Sequence, residues 1–361
     1  MGKASAHAGR GLRVPWRRTT AIITLAVAIA GCSSAASPSQ TPTAACPAVE
    51  AAMGSASGSE GVPACGHVTA RFKVAPAAAE ATGVMAPYIG GWTAEGLAYG
   101  SGSIWATDRS GAVVRFDPST QKVVATIADP VGFPITDATS AGSVYIANWH
   151  AQTVDRIDPA TNAVAATANL SGAPYFITVI DSAVWVSTDA GEIDVLDAMT
   201  LTSVATYKLG SIPGSPVIVG DGIWYPDHHG STVNRLDLKT GQVTATVQNA
   251  GADPLYQVLC AGSLWVDNLT EGRVDRIDPT SADVTATIPV PGTMLYGMTV
   301  YGGLVWVAST HEQALFAIDP ETNKVVGRVA LGGEPMQVMA VSNNLWVSIG
   351  DTGELVRVSV P

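Results

Sequence analysis

The sequence predicts an all-β fold, a seven-bladed β-propeller of four-stranded blades, on three observations. One aromatic residue recurs seven times, as Trp105, Tyr145, Trp185, Trp224, Trp265, Trp306 and Trp346, at spacings of 39 to 41 residues. That is the period of a propeller blade. Aspartates at 117, 158, 197, 237, 278 and 319 keep the same period, and Pro follows four of the six at once, which marks a sharp turn after a strand. The seventh copy ends after Leu355-Val356-Arg357-Val358 without a final strand, while a strand of the missing type stands ahead of the first copy.

Each copy runs in the same order: a turn, an apolar strand carrying the aromatic, a polar loop, a strand with Asp near its end, a second turn, and a strand of the type Val-x-Ala-Thr. Residues 144–167 and 264–288 show it most cleanly. Val68-Thr69-Ala70-Arg71-Phe72 matches Val243-Thr244-Ala245-Thr246-Val247 and Val284-Thr285-Ala286-Thr287-Ile288 position for position. It is therefore predicted to complete the last blade and pair an edge that would otherwise lie open. Beyond residue 60 the β-branched residues and turn formers leave no amphipathic helix. The full chain is 47% hydrophobic and 14% charged, and residues 62–361 have the means to bury a large core as one closed unit.

Residues 1–31 read as an export signal, with Lys3, Arg10, Arg13, Arg17 and Arg18 ahead of the apolar run 21–30. This run is too short to span a bilayer. Ile29-Ala30-Gly31-Cys32 resembles the bacterial lipobox, which implies lipidation at Cys32 and attachment to the outer face of the cytoplasmic membrane or the cell envelope. Ala28-Ile29-Ala30 also fits an ordinary Ala-x-Ala cleavage site, and the choice between the general and twin-arginine export routes stays open. Residues 32–61 are rich in Ala, Ser and Pro and read as a flexible tether. In an exported chain, a Cys46–Cys65 disulfide is expected. Cys260, within the apolar stretch 256–260, is expected to be a buried free thiol.

The formal net charge is −11. Removing the leader leaves 14 Lys and Arg against 30 Asp and Glu, near −16. The basic residues do not cluster, which excludes a nucleic-acid track and disfavours anionic lipid headgroups. The lipid anchor is thus the only membrane contact expected, and the chain is expected to be a monomer.

Val144-Tyr145-Ile146-Ala147-Asn148 followed by Ile157-Asp158-Pro159, and Val305-Trp306-Val307-Ala308 followed by Ile318-Asp319-Pro320, resemble the YVTN-type propeller repeat across all seven blades. The resemblance implies a surface propeller that acts as a binding module or scaffold. The blades are similar, more distantly, to the streptogramin B lyases, which use Mg²⁺ and a catalytic His. In those enzymes Phe-Thr-Glu follows the blade aromatic. Here the third residue after it is Asp108, Asn148, Thr188, Asp227, Asn268, Ser309 or Ile349, so the catalytic set does not transfer.

The period also places four histidines in one kind of loop. His150, His229 and His311 each fall five positions after the blade aromatic, and His228 adjoins His229. These loops, between the second and third strands of a blade, are predicted to share a face with the inter-blade loops. Asp108, Trp149, Asp189, Asp227, Asp267 and Glu312 are placed there too, with Trp92, Phe133, Tyr175, Tyr256 and Tyr296 from the inter-blade loops. Aromatic rings beside carboxylates suit a protein, a sugar or a peptide. The alternative is a metal-assisted lyase or hydrolase, with His150, His229 and His311 serving a divalent ion such as Mg²⁺ and proton transfer. Arg115, Arg156, Arg235, Arg276 and Arg357 stand two before the Asp position of their blades. Strand alternation puts both on one face, which predicts a structural Arg–Asp pair.

Overall fold

The structure is a computed structural model that describes residues 62–76, 93–129, 132–140 and 142–360. The leader, Cys32, the tether up to residue 61, Cys46 and Trp92 lie outside them. The described chain forms seven antiparallel sheets and no helix. In blade 5 the strands are Pro254–Cys260, Ser263–Asn268, Arg273–Asp278 and Asp283–Pro289 from the axis outward, each paired with the next. The other blades repeat this order, over 94–128, 134–169, 174–208, 212–248, 295–330 and 335–359. Blade 4 differs in one respect, because its inner strand is broken into Ile212–Pro213 and Val217–Val219. Gly214 N–H there turns to Pro226 O (2.7 Å) and Ser215 N–H to Leu255 O of blade 5 (2.9 Å), and Pro216 has no N–H to give. A Cβ at Gly214 would sit 2.5 Å from Leu255 O, so only glycine permits this approach.

The expected ring closure is present. The strand His67–Lys73 pairs antiparallel with Glu354–Ser359 and forms the outer edge of blade 7. Its register slips between Val68 and Ala70, as it does between Val243 and Ala245 and between Val284 and Ala286 in the matching outer strands. The extra residue is Thr each time. Thr69, Thr244 and Thr285 donate to the carbonyls of Arg357, Arg235 and Arg276 at 3.1, 3.4 and 3.1 Å. The bulge is therefore part of the blade pattern, and the sequence match carried it.

Burial follows strand position. The second strands are buried along almost their whole length, while outer strands alternate exposed and half-buried residues. Apolar clusters fill the gaps between consecutive blades, such as Trp105, Val113, Val144, Ile146 and Ile157 between blades 1 and 2. Phe116, Trp346, Leu355 and Phe72 fill the gap between blades 7 and 1. The recurrent aromatics are core wedges. Trp105, Trp265 and Trp306 each donate from Nε1 to the carbonyl five residues earlier at 3.1 Å.

The periodic aspartates make the turns foreseen for them. Asp117, Asp158, Asp197, Asp237, Asp278 and Asp319 each accept from the backbone N–H two residues on, at 2.7 to 3.1 Å. Arg115 and Arg276 make other bonds than the Arg–Asp pair expected at these positions. Arg115 Nη1 crosses to Pro159 O (2.5 Å) and Asn162 Oδ1 (2.8 Å) of blade 2, and Arg276 Nη1 crosses to Pro320 O (2.8 Å) and Asn323 Oδ1 (2.9 Å) of blade 6. Each also lies over its own blade's Trp at 5.1 Å. They tie one blade to the next. A second correction concerns Cys260, which is disulfide-bonded rather than a free thiol, as is Cys65. Cys46, the partner expected for Cys65, is outside the described residues.

Candidate functional site

The loops between second and third strands do share a face with the inter-blade loops. In six blades the residue four after the blade aromatic donates its N–H to the residue just before the inner strand: Arg109 to Thr93, Trp149 to Phe133, Asp189 to Ala173, Leu269 to Asp253, Thr310 to Met294 and Gly350 to Glu334, at 2.8 to 3.1 Å. In blade 4 the same position, His228, pairs with Ile212 inside the sheet. The backbone thus fixes one loop against the other around the whole ring.

At the centre of this face, side chains from non-neighbouring blades meet across the axis. Tyr296 of blade 6 donates its hydroxyl to Glu95 Oε1 of blade 1 at 3.3 Å, and Glu95 forms an ion pair with Arg109. Gln337 Nε2 of blade 7 donates to the Tyr256 hydroxyl of blade 5 at 3.0 Å. Tyr256 meets Phe176 of blade 3 edge-on, at 5.1 Å, and lies 5.2 Å from Tyr296. These contacts join inner strands of non-neighbouring blades and so form a polar and aromatic plug on the axial side of the face. Burial opposes the charge on Arg109 and the Glu95 carboxylate outweighs it, so the guanidinium pKa is raised. Burial likewise lifts the Tyr256 and Tyr296 phenols above their ordinary value.

The remaining predicted residues form a rim in separate groups. In blade 2, His150 packs edge-on against Phe133 and Trp149 at 5.1 and 5.0 Å. In blade 4, the His228 and His229 rings lie 3.9 Å apart with their planes tilted by 31°, and His229 Nδ1 is 3.3 Å from Asp253 Oδ1. Tyr175 lies 6.1 Å from His228. In blade 6, His311 Nδ1 is 2.8 Å from Thr293 Oγ1, and Glu312 adjoins it, half-buried. Asp189 is exposed and accepts from Ala173 N–H at 2.7 Å, while Asp227 is half-buried and accepts from Thr232 at 3.4 Å.

Two placements depart from expectation. Asp267 and Asp108 lie beneath the face, 0% and 5% exposed. Asp267 Oδ1 accepts from Tyr256 and Leu255 N–H at 2.8 and 3.3 Å, and burial raises its pKa well above the usual carboxylate range. His150, His229 and His311, the histidines of the metal-assisted alternative, stand in blades 2, 4 and 6. Among the described residues the one group with metal-ligand proximity is His228, His229 and Asp253, without His150 or His311.

Glu95, Arg109, Gln337 and Asp253 were missed by sequence reasoning. A signal existed for the first two: Glu95 is the second residue of its inner strand, as Tyr175 and Tyr296 are, and Arg109 is four past Trp105.

No family profile and no curated protein matches the chain, but solved structures do. One is virginiamycin B lyase from Staphylococcus aureus, a catalytically inactive variant with quinupristin, at TM-score 0.64 and 14% identity over 75% of this chain and 96% of that one. Another is the WD40 β-propeller domain of Doa1, at TM-score 0.63 and 13% identity, covering 74% of this chain and 92% of that one. BamB from Moraxella catarrhalis matches at TM-score 0.56 and 16% identity, covering 74% and 83%. At such identities the likeness establishes the β-propeller fold and leaves the site's role to its own chemistry.

Proposed function

We propose that the protein is an exported, lipid-anchored interaction module that engages a protein or peptide partner across its loop face. The observation that carries this reading is the plug. With Glu95, Arg109, Tyr256, Tyr296 and Gln337 bonded across the axis, the face offers a broad floor rather than a deep hole. Small-molecule sites bury most of their ligand in a concavity, whereas protein interfaces are broad and enriched in Tyr, Trp and Arg. Trp149, Tyr175 and Tyr296 are half-buried on this face and supply such rings, with carboxylates around them. A cleft of about 310 Å³ opens elsewhere, on the outer flank of blade 3, lined by Ser171, Glu192, Asp194 and Lys208.

Export is supported by the leader, by the YVTN-type resemblance and by disulfide bonding at Cys65 and Cys260, which belongs to oxidising compartments. Anchoring is assigned to Cys32, with the tether up to residue 61 holding the propeller off the membrane as a monomer. Native electrophoresis of detergent-solubilised envelope tests the reading. Wild type is expected in a heavier complex that Trp149→Ala, Tyr175→Ala and Tyr296→Ala abolish without lowering expression, while Val204→Ser on an outer strand leaves it intact. Migration of wild type as a lone chain, or equal loss in the Val204 variant, contradicts it. Cys32→Ser is expected to abolish fatty-acid labelling and release the protein from membranes.

A further inference from the structure

We infer that His228, His229 and Asp253 form a binding site for a single divalent transition metal of the Zn²⁺ class. Their ligand atoms all lie within 4.8 Å of one another. His228 is 8% exposed, and its Nδ1 has no hydrogen-bond partner. A buried ring nitrogen left unsatisfied is costly and calls for a partner, and a metal ion supplies one.

The geometry needs little adjustment. Ligand atoms about 2.0–2.1 Å from a tetrahedral ion lie roughly 3.4 Å apart, and His229 Nδ1 and Asp253 Oδ1 already stand at 3.3 Å. Closing the remaining separation falls to His229 and Asp253, whose side chains are 61% and 29% exposed. Two imidazoles and one carboxylate suit Zn²⁺, Co²⁺, Ni²⁺ or Cu²⁺ and not Mg²⁺ or Ca²⁺, which prefer all-oxygen sets. At least one coordination position stays open to water.

The test uses the full-length chain without a histidine tag, stripped with chelator and titrated with Zn²⁺ and Co²⁺ at pH 7.5. One equivalent is expected to bind, raise Tm and give the visible absorption of Co²⁺ bound to nitrogen. His229→Asn and Asp253→Asn, which suit the left-handed backbone at both positions (φ 73° and 54°), are expected to weaken Zn²⁺ about tenfold or more. His228→Gln is judged only if it melts as wild type does. His150→Ala and His311→Ala are expected to leave binding unchanged. Absence of binding, wild-type affinity in the His229 and Asp253 variants, loss through His150 or His311 instead, or displacement by equimolar Mg²⁺ would each overturn the assignment.

Discussion

Truncating Phe72 to Ala examines ring closure at a single side chain. Phe72 lies on the strand His67–Lys73, with its ring 4.8 Å from Phe116 of blade 1 and 5.9 Å from Trp346 of blade 7. It joins the apolar cluster between the first and last blades. A fully buried Phe→Ala change costs about 3–5 kcal/mol. Phe72 is half-buried, which takes about half of that, roughly 2 kcal/mol, and its ring contacts add ~1 kcal/mol. A loss of about 3 kcal/mol in a domain of ~300 residues lowers Tm by roughly 5 °C. The assay is thermal unfolding followed by tryptophan fluorescence, beside Val204→Ala on the exposed outer strand of blade 3, expected within ~0.5 kcal/mol of wild type. Deleting residues 67–75 is expected to broaden the transition and lower it further, because the edge Glu354–Ser359 loses its whole partner. If Phe72→Ala melts like wild type, the strand does not hold the ring closed.

Three other outcomes follow from the same contacts. Arg276→Ala removes charge-assisted bonds to Pro320 O and Asn323 and is expected to cost about 2 kcal/mol. Arg276→Lys is not expected to rescue it, since one ammonium cannot reproduce the forked donor; denaturant titration reads both. Arg109→Met strips the buried Glu95 of its cation and is expected to cost about 3 kcal/mol, most of it recovered by adding Glu95→Gln, as a double-mutant cycle measures. Burial raises the folded pKa of Asp267 well above the unfolded value of 3.8. Its contribution is therefore full below the unfolded pKa and is lost as pH rises toward the folded one. Asp267→Asn should match wild type near pH 4 and become the more stable of the two as pH rises to 8, read as paired Tm values.

The blade repeat was legible because each blade solves the same packing problem with the same residues: the Trp or Tyr wedge, the Asp turn, and even the bulge at Thr69, Thr244 and Thr285. Alternation showed which face Arg115 and Arg276 occupy but not how far they reach. A long side chain on a strand beside a neighbouring blade finds that blade's turn carbonyl sooner than its own Asp. Asp267 was misplaced because its second strand is buried from end to end, so a carboxylate near the loop still lies inside. The plug was hidden for another reason. Its bonds join residues 201 and 81 positions apart, through inner strands whose register slips near their first residues. There the two-residue period that points side chains inward or outward breaks down.

The most direct test of the proposed role is site-specific photo-crosslinking in the native envelope. A benzophenone amino acid is placed at Trp149, Tyr175 or His311 on the loop face, and at Met199 or Val204, which lie exposed at a turn and an outer strand. The account predicts one discrete adduct from the loop-face positions and none from the other two. Adducts from Met199 or Val204 with a silent loop face would contradict it.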